Sequence, residues 1–188
     1  MGKKTAKLQP AVETLTFATP DLDPGYNGRF YIDLAKAASL VNRRMYRQGR
    51  QWMVAGFTFL SAGTGSVQVS KIPINWVTAN SWEKSFRAWD KQQRLAMEHT
   101  GAQSTKSAYR DFKIAIDDTH QSNWSTNLTL TPQDGDGNLY SAGEWEQAEI
   151  VLPVNTGAPL ERTLHMLGAD GATSVSMVKG YRQSRARS

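Results

Sequence analysis

Short segments of alternating apolar and polar residues, separated by tight turns, constrain the fold of this chain more than any other feature. Turn-forming Gly, Asp and Asn residues cluster at 134–138 (DGDGN), 155–159 (NTGAP) and 168–172 (GADGA). Alternating runs bounded by such turns are typical of β-strands. The sequence therefore predicts about nine short strands, at 12–17, 28–32, 51–60, 66–77, 108–116, 127–131, 146–152, 164–167 and 174–178.

A first helix is predicted between the early strands, in the segment DLAKAASLVNRRMYRQGR. Asp33 can cap its N-terminus, and apolar residues then recur at helical spacing as far as Met45. Gly49 is a natural C-terminal stop. Four arginines follow one another towards the end of this segment, where they complement the helix dipole, and the segment holds no acid after Asp33.

A second helix is predicted over 80–99, where Asn80 and Glu83 have capping-box spacing. An aromatic stripe lies along one face of this helix, because its members recur at helical intervals. The stripe is expected to be core; if it were exposed, its tryptophans would be interface anchors. Its members are Trp82, Phe86 and Trp89.

Strands and helices do not alternate along the chain, so a doubly wound parallel sheet is disfavoured. The expected fold is mainly β, a single-domain jelly-roll sandwich of about eight or nine short strands with two helical insertions. The 188 residues are enough for one such domain. The predicted organisation is a flexible basic arm at 1–10, a shell domain at 11–178 and a basic tail at 179–188.

Catalytic motifs are missing from the sequence. There is no cysteine, no G-x-S-x-G nucleophile motif and no Walker loop, and the three histidines share no motif. No apolar run is long enough to span a bilayer. We therefore expect neither an enzyme nor a membrane protein, and no small-molecule substrate.

The DGDGN turn is one of two candidate metal sites; the other is a small cluster of Asp117, Asp118 and His120, for which a solvated strand end is the favoured alternative. Asp134, Asp136 and Asn138 copy the first three ligand positions of a calcium loop, but Leu139 and Trp145 stand where its Gly and Glu should be. An EF-hand is therefore excluded. A plain turn and a looser structural calcium site remain the two alternatives, and no other cofactor is expected.

Basic residues form three groups in a chain of net charge +5. Tyrosines stand among two of the groups, a pattern that suits contact with phosphates and stacking on bases. The groups are Lys3, Lys4 and Lys7; Arg43, Arg44, Arg47 and Arg50; and Lys179, Arg182, Arg185 and Arg187. The arginines of the middle group have an equally good alternative partner, the acids of a neighbouring subunit, which cluster at 134–149.

Three blocks of the sequence resemble the capsid proteins of small single-stranded DNA viruses. They are GRFYIDLAKAASLVNRRMYRQGRQWMVAGFTF, NSWEKSFRAW and YRDFKIAIDDTH, within residues 28–120. The resemblance implies a jelly-roll subunit that assembles with copies of itself into an icosahedral shell around nucleic acid, and it brings no catalytic residues. The N-terminal arm departs from the family pattern, because it has three lysines where many such proteins carry a long arginine-rich arm.

The expected function is therefore that of a structural virion protein, found in the virion and, during assembly, inside the host cell. Its partners would be itself and nucleic acid. Two alternatives remain open: a stand-alone nucleic-acid-binding β-domain that contacts phosphates without sequence preference, and a carbohydrate-binding β-sandwich.

Overall fold

The computed structural model of the protein describes residues 11–23, 25, 27–101, 111–141, 143, 145–152, 154 and 156–186. Within these ranges the elements in chain order are β1 (Thr16–Phe17), α1 (Leu34–Asn42), α2 (Trp76–Thr100), α3 (Asp118–Ser122), β2 (Pro132–Gln133), β3 (Glu149–Leu152), β4 (Leu160–His165), β5 (Ser174–Ser176) and α4 (Met177–Ala186). The chain divides into two compact units: unit 1 is Met1–Tyr46 with Ser125–Trp145, and unit 2 is Arg47–Trp124 with Glu146–Ser188.

The prediction of a mainly-β jelly roll is wrong. The described residues form five short strands in two small sheets, together with four helices. The predicted strands at 51–60 and 66–77 form no ladder, and those at 28–32, 108–116 and 127–131 contribute only isolated bridges among the described residues. Alternation favours an extended backbone, but a sheet also needs a partner strand, and the described part of the chain supplies none for these segments.

Unit 1 is organised around α1. The Asp33 carboxylate caps the helix, as predicted, by accepting hydrogen bonds from the backbone N–H of Ala35 (2.9 Å) and Lys36 (3.2 Å). Its second oxygen accepts from the Trp145 indole N–H at 3.2 Å. Three alanines of α1 pack inside the unit. In the same unit β1 pairs antiparallel with β2.

Helix α1 ends earlier than predicted. Its last residue is Asn42, and Arg43 adopts a left-handed conformation with φ of 49°. The predicted stop, Gly49, lies seven residues further on. Arg43 therefore caps the helix, and the later arginines lie beyond its last turn, so dipole complementarity does not account for Arg47 and Arg50.

In unit 2, helix α2 begins four residues before its predicted start. Asn75 is the N-cap: its side chain accepts from the Thr78 N–H at 3.0 Å, and the Thr78 hydroxyl accepts from the Asn75 N–H at 3.2 Å. This is a reciprocal capping box that uses Thr where Glu or Gln is usual. The predicted box of Asn80 and Glu83 lies inside the helix.

The core of unit 2 lies between α2, α4 and a three-stranded sheet. In this sheet β4 is central, antiparallel to β3 and parallel to β5. The buried cluster joins helix and sheet residues: Trp89, Phe112, Ile114, Ala148, Leu164, Met166 and Met177. Trp89 is 3% exposed, and Phe86 and Trp82 pack against the cluster. The prediction that the aromatic stripe of α2 is core is confirmed.

The C-terminal part of the chain continues from β5 directly into α4. Residues 179–186, predicted as a basic tail, are therefore helical. Met177 anchors this helix in the core, and α4 packs against α2. Within the described residues, no helix has the length and apolar character needed to cross a membrane.

Candidate assembly segment and nucleic-acid interface

Residues 53–71, here called the exposed segment, run through unit 2 without regular secondary structure, and every one of them is exposed. The sequence is MVAGFTFL, a turn, then SVQVSK, so β-branched and aromatic residues recur along both limbs. Met53 is 97% and Leu60 94% exposed. Side chains of this kind normally lie in a core or an interface.

Both ends of the exposed segment are held by the unit 2 core. Before it, the Gln48 amide oxygen accepts from the Ile114 N–H at 2.7 Å, and Gly49 lies against the Trp82 indole. After it, Ile72 packs on the core cluster and the Pro73 carbonyl accepts from the Thr78 hydroxyl at 2.8 Å. The residues on both sides of the segment are therefore held in place by contacts within unit 2.

The backbone of the exposed segment has no ladder. Among the described residues its only hydrogen bonds join Ser61 and Gly63 across the turn, and its only ring contact joins Phe57 and Phe59 at 6.2 Å. Backbone N–H and C=O groups that belong to no ladder are available for another strand to bind.

Charge is almost absent from the exposed segment. It contains no acid and no proline, and its single charge is Lys71 at the end. Monomeric proteins usually protect an exposed strand edge with charged residues or proline. This segment carries no such protection between Met53 and Ser70.

A second surface combines aromatic rings and cations where α2 and α4 lie side by side. Trp76 and Tyr181 meet edge to face with ring centroids 6.4 Å apart. The Arg185 guanidinium lies 5.0 Å from the Trp76 centroid and 5.9 Å from that of Tyr181, and Lys84 Nζ lies 5.0 Å from the Tyr181 centroid. We call Trp76, Asn80, Lys84, Tyr181, Arg182 and Arg185 the α2–α4 face.

The charge of the α2–α4 face is positive. Helix α4 contains three basic residues and no acid. The nearest acid on α2, Glu83, is paired with Arg87 at 2.7 Å, and Asp170 is paired with Lys179 at 2.5 Å. No carboxylate among the described residues forms an ion pair with Lys84 or Arg182.

The predicted arginine group lies on the surface. Arg43, Arg44, Arg47 and Arg50 are all exposed. Arg43 and Arg44 belong to unit 1, whereas Arg47 and Arg50 belong to unit 2. Arg182 and Arg185 are exposed on α4. The other predicted basic contacts, Lys3, Lys4, Lys7 and Arg187, lie outside the described residues.

The predicted interface anchors belong to the core. Trp89 is buried, and Trp82 stacks on Phe86 with centroids 5.2 Å apart and meets Phe112 edge to face at 5.6 Å. In the structure these tryptophans therefore contribute to packing within unit 2.

The DGDGN turn binds its own backbone. Asp134 Oδ1 accepts from the N–H of Asp136 (3.0 Å) and of Asn138 (2.8 Å), and these bonds hold the pKa of Asp134 below its ordinary value. Across the described residues, no three His, Cys, Asp or Glu side chains lie together in a way that could hold a metal ion. The structure does not decide between the two alternatives for this turn, a plain turn and a looser calcium site.

A buried histidine, His165, is the last residue of β4. His165 is fully buried, its Nε2 lies 2.9 Å from the Ala169 carbonyl, and its Nδ1 has no partner among the described residues. Burial lowers the pKa of His165, although Asp118, Asp117 and Asp170 act in the opposite direction. The neutral form of this buried histidine is therefore favoured.

Comparisons with protein-family models, with curated proteins and with solved structures gave no match to this chain.

Sequence reasoning missed Trp76 and Lys84 as surface residues of one site. The alternation around Trp76 predicts a strand, which hides its helical relation to Lys84, two steps of four residues away. Spacing of i and i+4 also joins Tyr181 to Arg185. Two rows of residues at helical i, i+4 spacing, each with an aromatic and a basic residue, are the signal that could have revealed the α2–α4 face.

Proposed function

We propose that the protein is a self-assembling structural subunit of a particle that encloses nucleic acid, such as a virion. The observation that carries this proposal is the exposed segment. It has no regular secondary structure, is apolar and almost uncharged, and pairs with no strand among the described residues. Strand addition by a second copy of the chain would satisfy the backbone groups and bury the apolar side chains together.

The size of the exposed segment suits an interface. Seven of its large apolar side chains are exposed. At about 150 Å² for a fully exposed aromatic side chain and about 100 Å² for an aliphatic one, their combined exposed area is on the order of 500 Å². A partner in a standard interface contributes about 800 Å². The segment alone therefore supplies more than half of the surface that a stable association needs.

The composition of the exposed segment favours a copy of the same chain as the partner. Two identical uncharged strands can pair without like charges facing each other, in more than one register. A different partner would more often be selected by charge, which this segment lacks. Contacts repeated between identical copies then extend or close into a larger assembly according to the symmetry of the interface.

The observed fold removes one argument for a viral shell. The resemblance to capsid proteins implied a jelly roll, which the structure lacks, so the proposal rests on the exposed segment and on the basic surfaces. The net charge of +5 and the exposed arginines favour an anionic content. Nucleic acid is the polyanion that such a particle would enclose.

The test compares the full chain with a variant whose exposed segment is charged. Size-exclusion chromatography with light scattering gives the mass, negative-stain microscopy shows particles, and the ratio of absorbance at the nucleic-acid and protein maxima reports the content. We expect wild-type particles that contain nucleic acid. Phe57→Lys with Phe59→Lys is expected to abolish assembly, because charges on a strand edge oppose pairing.

The matched control is Leu22→Lys with Leu95→Lys, which adds the same charge at two exposed apolar positions outside the segment. This control should assemble like the wild type. A wild-type chain that stays monomeric would contradict the proposal. A monomer that bound nucleic acid would support the function of a stand-alone nucleic-acid-binding domain. A monomer that bound none would contradict both functions.

A further inference from the structure

We propose that the α2–α4 face is a binding site for single-stranded nucleic acid, in which bases stack on Trp76 and Tyr181 while cations contact the phosphates. This inference rests on the part of the proposed function that places nucleic acid inside the assembly. It adds the location of the site and the strandedness of the ligand.

The aromatic groups support stacking. Trp76 is 59% exposed although it begins a long helix beside a packed core. Tyr181 is fixed next to it by the edge-to-face contact and by Asn80, whose amide lies 3.5 Å from the Tyr181 hydroxyl. Trp76 is exposed and Tyr181 is half-buried beside it, so unpaired bases can reach this pair of rings, and every base has a π face that can stack there.

The cations support phosphate binding at the same place. Arg185 and Lys84 lie within 6 Å of the rings, and Arg182 is exposed on the same short helix. Nearby carboxylates are already paired with other cations. A phosphate therefore meets positive charge beside the rings without repulsion from an uncompensated acid.

The combination distinguishes single strands from duplexes. In a duplex the bases are stacked on each other, so the aromatic rings cannot reach a free base face and only phosphate contacts remain. A single strand can use the rings and the cations together. Affinity for single strands should therefore exceed affinity for a duplex, and the difference should depend on Trp76.

The experiment measures fluorescence anisotropy of a labelled oligothymidylate and of a duplex of equal length, each covering about 16 nucleotides, over a series of salt concentrations. It uses the full chain carrying Phe57→Lys and Phe59→Lys, and is repeated with the unmodified chain. Binding is thus separated from assembly: loss of assembly tests the proposed function, and loss of binding tests the site.

Trp76→Ala is expected to weaken single-strand binding about five-fold or more while leaving duplex binding nearly unchanged. Trp76→Phe should recover part of the loss. Leu95→Ala, which shortens an exposed apolar side chain elsewhere on α2, is the matched control and should have no effect. Circular dichroism and thermal melting check that each variant is folded.

Arg182→Ala should lower the slope of log affinity against log salt by about 0.7, the value for one phosphate contact on a single strand. Two results would each overturn the site: equal affinity for single strand and duplex, or no effect of Trp76→Ala. Equal losses from Arg182→Ala and Arg44→Ala, together with no effect of Trp76→Ala, would indicate diffuse electrostatic binding over the whole surface.

Discussion

Gly49 fixes the start of the exposed segment, and its replacement by alanine tests how that segment is held. Gly49 has φ of 86°, a conformation that L-residues adopt at a cost. A Cβ at this position would lie 2.6 Å from Trp82 Cζ2. Trp82 cannot move freely, because it stacks on Phe86 and meets Phe112. The substitution therefore combines backbone strain with a steric overlap.

The two contributions can be estimated separately. The left-handed conformation costs a residue with a Cβ about 1–2 kcal/mol. Overpacking against a fixed core ring costs about 1–3 kcal/mol. We expect Gly49→Ala to lower the free energy of unfolding by roughly 2–5 kcal/mol, the sum of the two and a large fraction of the stability of an ordinary domain.

Gly101 supplies the matched control. It caps α2 with φ of 69°, and among the described residues no atom other than its chain neighbours and its own helix backbone lies within 4 Å of the position that a Cβ would take. Gly101→Ala should therefore show the strain without the overlap, about 1 kcal/mol. Denaturant unfolding followed by tryptophan fluorescence measures both variants, preferably in a chain that does not assemble. Equal losses for the two glycines would refute the placement of Gly49 against Trp82.

Two further predictions concern charge. Burial lowers the pKa of His165 below 6.5, the ordinary value that it has in the unfolded chain. At pH values between the folded and the unfolded pKa, the unfolded chain therefore binds more protons than the folded one. The free energy of unfolding should fall as the pH is lowered through this window. His165→Gln should flatten the dependence in unfolding curves measured at successive pH values, and an unchanged profile would contradict the burial of His165. Arg43→Glu with Arg47→Glu should disrupt assembly or reduce the nucleic-acid content while the thermal melt is retained; filled particles from this variant would show that the arginines are only solvated.

Two local signals in the sequence, a helix cap and an aromatic stripe, predicted local structure correctly. The sequence predicts Asp33 as a helix cap because a carboxylate just before an amphipathic stretch can accept hydrogen bonds from the N–H groups of the first turn. The structure shows two such bonds. The spacing of Trp82 and Trp89 indicated a helix face, and the burial of Trp89 agrees. These features depend on neighbours within a few residues.

The sheet prediction failed because pairing is not local. Residues 51–60 alternate as a strand does, yet whether they form one depends on a partner that the described part of the chain does not offer. The same alternation concealed the true start of α2 at Trp76, where Thr78 serves in the capping box in place of Glu. Helix α4 was missed because its apolar anchor, Met177, stands at its very beginning and basic residues dominate the remaining turns of the helix.

The candidate sites also combine features that the sequence reveals with features that depend on the fold. Sequence reasoning identified Arg182 and Arg185 as basic residues with an anionic partner, which stays a prediction. It could not place them beside Trp76, because α2 and α4 are about one hundred residues apart in the chain. Likewise, the apolar character of the exposed segment is evident in the sequence, but its exposure depends on how the rest of unit 2 folds.

Amide hydrogen exchange of residues 53–71, measured in the assembled and in the monomeric protein, tests most directly whether copies of the chain pair through the exposed segment. Exchange reports hydrogen bonding of each amide. We predict fast exchange along the segment in a monomeric Phe57→Lys with Phe59→Lys chain and strong protection in wild-type particles, while the amides of α2 are protected in both. Particles in which the segment still exchanges as fast as in the monomer would contradict assembly through this segment.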